Sequence, residues 1–395
     1  MKVALIHDYL NQYGGAERVL ETLLDLFPSA HVYTLLYDEQ RTSSHFKGRV
    51  FKTSLIDFPM ARRNHRLFIP WMPLAVRSLR ISERYDLILS DSAGYAKGVP
   101  HQPESFHLSY CYTPLRYAWE IDNYFPSPVF KTLFRPSFEY LRKWDYQAAQ
   151  KPVRLLAVSK YIAEKIRRYY GRTAEVVYPP VDYETFYFDP TLQPGAHTFS
   201  YYLAVGRLMH YKRFSLLIKA FLRMERNLWI VGTGPELSRI QALAAGSNKI
   251  RFFSFVSDAK LRELYNGARA LLFPQEEDFG LVAAESLACG TPVIAYAQGG
   301  ALESVEEGKT GLFFSEPCEA GIEDAVRQFE RSAFDREEIS RASRKFTRAA
   351  FSRGILQALP HELQEMYQAE SSSGRAGGLR DLSVYRASLH GGPIP

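Results

Sequence analysis

Cysteine is scarce in this 395-residue chain. The three present, Cys111, Cys289 and Cys318, are too few and too scattered for a disulfide framework or a zinc site. Each lies in an apolar stretch, so packed thiols are expected. Long apolar runs are missing as well. The longest uncharged run, 286–302, contains Pro292, Gly290, Gly299 and Gly300, which break a membrane-spanning helix of about 20 residues. The apolar run after Met1-Lys2 meets His7 and Asp8 too early for a secretory signal. The expected location is the cytoplasm, with peripheral attachment to the inner face of the cell membrane as an option. There is no D-x-D pair and no metal-type His/Asp cluster, so no metal site and no cofactor are expected. A large charge excess is lacking too: 49 basic and 43 acidic residues leave +6. That balance suits phosphorylated substrates, polyanions or an anionic membrane without choosing among them.

Aromatic residues are plentiful, with 25 Tyr and 26 Phe, and apolar residues make up 46% of the chain, as in a folded globular protein. Short apolar runs alternate with amphipathic stretches. Strands are expected at 3–6, 32–36, 85–89, 108–112, 155–158 and 176–178, then at 202–205, 228–231, 251–255, 270–273, 293–296 and 312–314. Ala16, Val19, Leu20, Leu23, Leu24 and Phe27 recur at helical spacing after the first strand. A later helix has Ser159 as N-cap, Ile162 and Ile166 on one face and Gly171 as its stop. In the second half, helices are expected to begin near Phe214, Pro235, Asp258, Phe279, Ala301 and Glu319. This alternation implies an α/β fold of parallel sheets covered by helices.

The stretch 178–200 carries Pro179, Pro180, Pro190, Pro194 and Gly195 without apolar periodicity, which is linker composition. The expected organisation is a Rossmann-like domain over 1–185, a linker over 186–199, and a second Rossmann-like domain over 200–350. A helical segment would follow over 351–370, then a Gly/Ser-rich tail over 371–395 read as disordered. Ligands of such folds bind at the carboxyl ends of the strands, so chemistry is expected in a cleft between the two domains.

The most informative stretch is FPQEEDFGLVAAESLACGTPVIAY, residues 273–296. Glu277 follows a strand end, and Glu285 lies eight residues on, within a helix. That separation fits poorly with the closely spaced carboxylates of a retaining glycosidase. Separate roles are expected, with each glutamate accepting hydrogen bonds from a different set of sugar hydroxyls. The backbone N–H groups of Phe279, Gly280 and Leu281 would head the helix and face an anion. Arg207 and Lys212, in GRLMHYK after another strand, combine a planar fork and a point charge suited to a diphosphate. Gly14-Gly15 opens the first helix where a ligand could approach backbone N–H groups.

Together these motifs resemble glycosyltransferase family 4, whose members have the GT-B fold of two facing Rossmann-like domains. Glu277 and Glu285 match its E-x7-E motif, Arg207 and Lys212 its phosphate-binding element, and Gly14-Gly15-Ala16-Glu17 its N-terminal glycine loop. EEDFG, GGALESV and CYTPLRYAWE look most like bacterial mannosyltransferases that use GDP-mannose in surface-polysaccharide assembly. The resemblance implies donor binding by Gly15, Arg207, Lys212, Glu277, Phe279, Gly280, Leu281 and Glu285. Arg207, Lys212 and Glu277 would carry catalysis, without a metal. A lipid-linked or oligosaccharide acceptor would be contacted by Tyr112 and Arg116. Many relatives have His where Tyr112 stands, and Tyr carries no charge near neutral pH. A UDP-sugar transferase, a GT-B sugar-nucleotide epimerase and a non-catalytic nucleotide-binding partner protein are the alternatives. Nucleic acid is not an expected partner, since it would explain the charge and none of the paired motifs.

One further segment, 61–80, sets an apolar run (67–76, interrupted by Pro70 and Pro73) among Arg62, Arg63, His65, Arg66, Arg77 and Arg80. It fits either an interfacial segment on anionic lipid or a kinked segment packed in the N-terminal domain.

Overall fold

The structure is a computed structural model and describes residues 1–121, 128–191 and 200–372. The expected disordered tail beyond 372 and the 192–199 part of the expected linker lie outside the described residues. Two compact units divide the chain. Among the described residues, the first comprises those of Met1–Val158, Ile162–Val177 and 351–372; the second comprises those of Ser159–Tyr161 and Tyr178–Ala350. The division therefore falls at Val177/Tyr178, earlier than the expected linker, and residues 351–372 return to the first unit.

In the first unit the strands are β1 (Val3–Leu10), β2 (His31–Tyr37), β3 (Val50–Thr53), β4 (Leu87–Ser92), β5 (Phe106–Cys111), β6 (Arg154–Ala157) and β7 (Glu175–Val176). They form one parallel sheet in the order β3-β2-β1-β4-β5-β6-β7. β1 and β4 run in register from Val3↔Leu87 to His7↔Asp91. Their buried, apolar sequences are those of strands covered on both faces. β3 was not expected. Its sequence, VFKT, is an exposed edge with no apolar alternation to reveal it.

The second unit holds β8 (Tyr201–Val205), β9 (Asn227–Val231), β10 (Ile250–Phe253), β11 (Leu271–Phe273), β12 (Val293–Tyr296) and β13 (Gly311–Phe314). They form a six-stranded parallel sheet in the order β10-β9-β8-β11-β12-β13. Its core includes Leu203, Ala204, Ile218, Phe221, Ile230, Leu272 and Ile294.

Both sheets are doubly wound. The strand order reverses between β1 and β4 in one and between β8 and β11 in the other. Helices depart to opposite faces at such a point and leave a crevice beyond the carboxyl ends of the strands.

The structure refines these expectations in detail. The helix after β11 spans Leu281–Ala288 and is capped by Gly280, so it begins two residues after Phe279; the helix expected at Pro235 begins at Leu237. Ser159 directly precedes the helix Lys160–Tyr170, the position expected of its N-cap, and its hydroxyl also donates to the Asp278 carbonyl (2.5 Å). The Glu303 carboxylate accepts from the amides of Lys160 (2.7 Å) and Tyr161 (2.9 Å). Cys111 and Cys289 are buried, whereas Cys318 is only half-buried, and its Sγ accepts from the Gly321 amide at the head of the helix Glu319–Glu330 (3.4 Å).

Candidate functional site

In the second unit, the loop leaving β8 carries Gly206 through Lys212. Arg207 is exposed at the strand end, while Lys212 turns back over Gly206, its Nζ lying 3.2 Å from where a Cβ on that glycine would be. This return brings Lys212 Nζ to 2.9 Å from Glu277 Oε1, on the loop after β11. The approach is close enough for an ion pair, but its angle makes no directed hydrogen bond. Glu277 Oε1 therefore keeps capacity to accept one from a ligand. The structure thus brings together two residues that stand 65 positions apart in sequence.

The Glu277 loop is held from behind. Gly300 donates its amide to the Glu277 carbonyl (2.8 Å), and Gly299 sits at φ 66°, where a Cβ would overlap that same carbonyl oxygen. Gly280 adopts φ 87°, and a Cβ there would lie 2.7 Å from Phe273 Cζ. The amides heading this helix therefore begin at Leu281. Phe279 is instead a core residue, its ring 5.7 Å from Tyr178 and 5.3 Å from Phe346. Glu285 is buried one turn further along and accepts from Tyr265 Oη (3.2 Å). Arg213, which the sequence reading passed over, braces the same strand ends. Its guanidinium donates to the Pro274 carbonyl (3.2 Å) and stacks 4.7 Å from the Tyr296 ring centre.

In the first unit, Gly14 caps the helix Gly15–Leu26, so Gly15 is its first residue. Beside it lies a buried polar cluster, most of which sequence reasoning missed. His7 ends the apolar part of β1, and its Nδ1 hydrogen-bonds Asp91 Oδ1 on β4. Its Nε2 lies 3.8 Å from Glu17 in the first turn of the helix. Tyr112 donates to Asp91 Oδ2 (3.2 Å) and to the Ala16 carbonyl (3.2 Å), so the structure joins Tyr112 to the glycine loop. Arg116 opens a short helix, Arg116–Trp119. The available signal was a His and an Asp interrupting two apolar strands at their carboxyl ends.

Burial alone would disfavour the charged imidazolium of His7. The adjacent carboxylates of Asp91 and Glu17 outweigh it, so the His7 pKa is raised well above its ordinary value. Burial raises Asp91 and is partly offset by His7. Burial, reinforced by Asp91, also pushes Tyr112 well above the usual phenol range, so it acts as a neutral donor. Neighbouring Asp8 serves the fold: its carboxylate takes the amides of Ala93 (2.7 Å), Tyr95 (2.9 Å) and Ala96 (2.6 Å).

The segment 59–78 is not a single kinked run. It forms two short helices, Pro59–Arg63 and Met72–Ser78, joined by a 3-10 turn over His65–Trp71. Ala61, Ile69, Met72, Ala75 and Val76 are buried in the first unit, while Met60, Leu67, Trp71 and Leu74 are exposed. Among the described residues, no helix is long and apolar enough to cross a membrane. Nor does any group of three or more His, Cys, Asp or Glu side chains among them form a metal-binding constellation.

Comparison with known proteins addresses the two units separately. Residues 13–185 match the family described as Glycosyltransferase Family 4, and residues 194–346 match Glycosyl transferases group 1. A D-inositol 3-phosphate glycosyltransferase of Geodermatophilus obscurus is 32% identical over 46% of this chain and 46% of its own length. The alpha-1,3/1,6-mannosyltransferase ALG2 of Saccharomyces cerevisiae is 25% identical over 77% of this chain and 71% of its own. The chain spans about half the length of several of the relatives it matches, or less. Among solved structures, Anabaena HepE in complex with UDP aligns with a TM-score of 0.65 at 19% identity, over 90% of this chain and 99% of its own. The sucrose-phosphate synthase of Thermosynechococcus elongatus aligns at 0.68 and 16% identity, over 93% of this chain and 100% of its own. The first part of the chain thus matches a family 4 glycosyltransferase model and the second a group 1 model, and its two doubly wound units share the GT-B fold of these solved structures.

Proposed function

We propose that this protein is a retaining, metal-independent glycosyltransferase that moves a hexose, mannose from GDP-mannose, to a lipid-linked or oligosaccharide acceptor in polysaccharide biosynthesis. The observation that carries the reading is the Lys212–Glu277 pair at the switch point of the group 1 unit, beside exposed Arg207. Arg207 and Lys212 hold the donor diphosphate, and Glu277 takes a sugar hydroxyl with its open acceptor position. The amides from Leu281 onward face the phosphates, Glu285 binds the ribose, and Gly15 adds a backbone contact to phosphate.

In the reaction, the bond between the anomeric carbon and the phosphate oxygen breaks as the acceptor oxygen bonds to the same face. The acceptor proton passes to the departing diphosphate. Catalysis is mainly electrostatic, because the two cations and the oriented amides stabilise charge that develops on the leaving group. On the family 4 side, Tyr112 and Arg116 contact the acceptor. The basic segment with exposed Leu67, Trp71 and Leu74 suits an acceptor presented at an anionic membrane surface.

The similarity to ALG2 favours a mannosyl donor, while the UDP complex of HepE keeps a UDP-sugar as the second reading. Thermal shift with GDP-, UDP- and ADP-sugars separates them, since at equal concentration the ligand with the lower Kd stabilises more, as the logarithm of concentration over Kd. A larger shift with GDP-mannose than with UDP-sugars, and turnover that persists in EDTA, is the expected result. Stabilisation by UDP-sugars alone overturns the GDP assignment. Conversion of the nucleotide sugar without an acceptor would make the protein an epimerase, and binding without turnover a partner protein.

A further inference from the structure

A cavity of about 400 Å³ opens in the first unit, lined by Asn11, Gln12, Arg41, Arg62, Arg63 and His65. It lies beyond the carboxyl ends of β1 and β2, apart from the His7–Asp91–Tyr112 cluster. Three arginines and a histidine converge on it, and no carboxylate is among the lining residues. The adjoining cavity, of about 320 Å³, shares Arg62 and Arg63 but is also lined by Asp38 and Glu39, so its charge is mixed.

The arginines are not equivalent. Arg62 is committed: its guanidinium grips Asp57 through Nε (2.7 Å) and an Nη (3.0 Å). Arg41 and Arg63 are exposed and form no ion pair among the described residues. His65 is fixed by stacking on Tyr9, with ring centres 4.8 Å apart. Asn11 forms the floor and is only 6% exposed. Its side-chain nitrogen donates to the Arg62 carbonyl (2.7 Å) and lies 3.2 Å from His65 Nδ1. Its Oδ1 is buried without a hydrogen-bond partner. A buried acceptor left unmatched costs about 1–3 kcal/mol, and because Asn11 is one of the residues that line the cavity, a donor seated there would offset that cost.

We infer that this cavity is a subsite for a phosphate-bearing sugar, in which Arg41 and Arg63 take the phosphate and Asn11 Oδ1 accepts from a sugar hydroxyl. Planar guanidinium forks match phosphate oxygens in pairs, and the unpaired amide oxygen supplies what a bare anion cannot use. The inference deepens the acceptor side of the proposed function and rests on it for the word acceptor; binding itself requires no turnover.

The test is calorimetric titration of the full chain with glucose 6-phosphate, inorganic phosphate and glucose. Three proteins are compared: wild type, Arg41→Ala/Arg63→Ala, and the Arg207→Ala/Lys212→Ala variant, which removes phosphate binding at the group 1 site. Glucose 6-phosphate should bind more tightly than phosphate, and glucose should not bind detectably. The affinity should persist in the Arg207/Lys212 variant and fall at least tenfold in the Arg41/Arg63 variant, whose altered side chains are exposed and whose melting temperature should match wild type. Asn11→Ala should remove the advantage of glucose 6-phosphate over phosphate.

A second arm uses vesicles of phosphatidylglycerol and of phosphatidylcholine. Sedimentation with phosphatidylglycerol that is lost in the Arg41/Arg63 variant would make a lipid headgroup the source of the phosphate, while soluble ligand binding alone would make it the glycan. Unchanged glucose 6-phosphate affinity and vesicle binding in that variant overturns the subsite. Loss of sugar transfer with phosphate binding intact would count against the proposed function instead.

Discussion

A lysine beside a carboxylate at the end of a parallel sheet either stays paired or turns to an incoming anion. Lys212 can do both, since its ammonium carries three donors and Glu277 uses one face of it. Replacing Arg207 or Lys212 with Ala should lower turnover at least 100-fold, about 2.7 kcal/mol of transition-state stabilisation. Near-normal turnover in either variant would remove the diphosphate assignment. Glu277→Gln tests the pairing from the other side. Removing a negative charge next to the phosphates should leave nucleoside diphosphate binding unchanged or tighten it by about 2–10-fold, while kcat falls. If diphosphate binding weakened instead, Glu277 would be holding Lys212 in place rather than the sugar.

His7 gives a pH dependence with a definite sign. Its folded pKa is raised, so the stability it contributes is fully present below its unfolded value, about 6.5, and is lost as pH rises through the folded one. Asp91, also raised, acts in the same direction. Urea denaturation of wild type and His7→Asn across pH 6 to 10 should show a gap of about 3 kcal/mol that narrows as pH increases. A gap constant with pH would mean that His7 stays neutral.

At the scale of elements, Glu277 is aimed by glycines on another loop. Gly299→Ala must displace the Glu277 carbonyl or abandon φ 66°, and holding Ala at that φ alone costs about 1–2 kcal/mol. Donor turnover should therefore fall further than stability does, and the Glu277→Gln/Gly299→Ala double variant should lose little beyond Glu277→Gln alone. Additive losses would separate the two loops. The strands that position this site were legible because parallel strands buried on both faces read as apolar runs, as in Leu228–Val231 or Val293–Tyr296. β3 was not, since an exposed edge strand such as VFKT carries no burial pattern. The E-x7-E spacing and Arg207 with Lys212 were legible as motifs. The His7–Asp91–Tyr112 cluster was not, because its members meet only through the pairing of β1 with β4 and β4 with β5.

The whole molecule departs from the linear order of its sequence most where residues 351–372 rejoin the first unit after the second is complete. Phe351 is buried edge-on to Tyr110 at 5.4 Å, Tyr367 packs on Phe27 at 5.8 Å, and the Ala358 carbonyl accepts from Arg154 (3.0 Å). These contacts make the last helices part of the support under β5 and β6, and Tyr112 follows directly on β5. Phe351→Ala removes a buried ring at a cost of about 3–5 kcal/mol. If the two units are separate cooperative blocks, that cost falls on one of them. Amide exchange should accelerate across β4, β5 and β6 while β8, β11 and β12 retain their protection. Loss of protection confined to β8–β13, or equal in both sheets, would place residues 351–372 with the second unit or make the chain a single folding block.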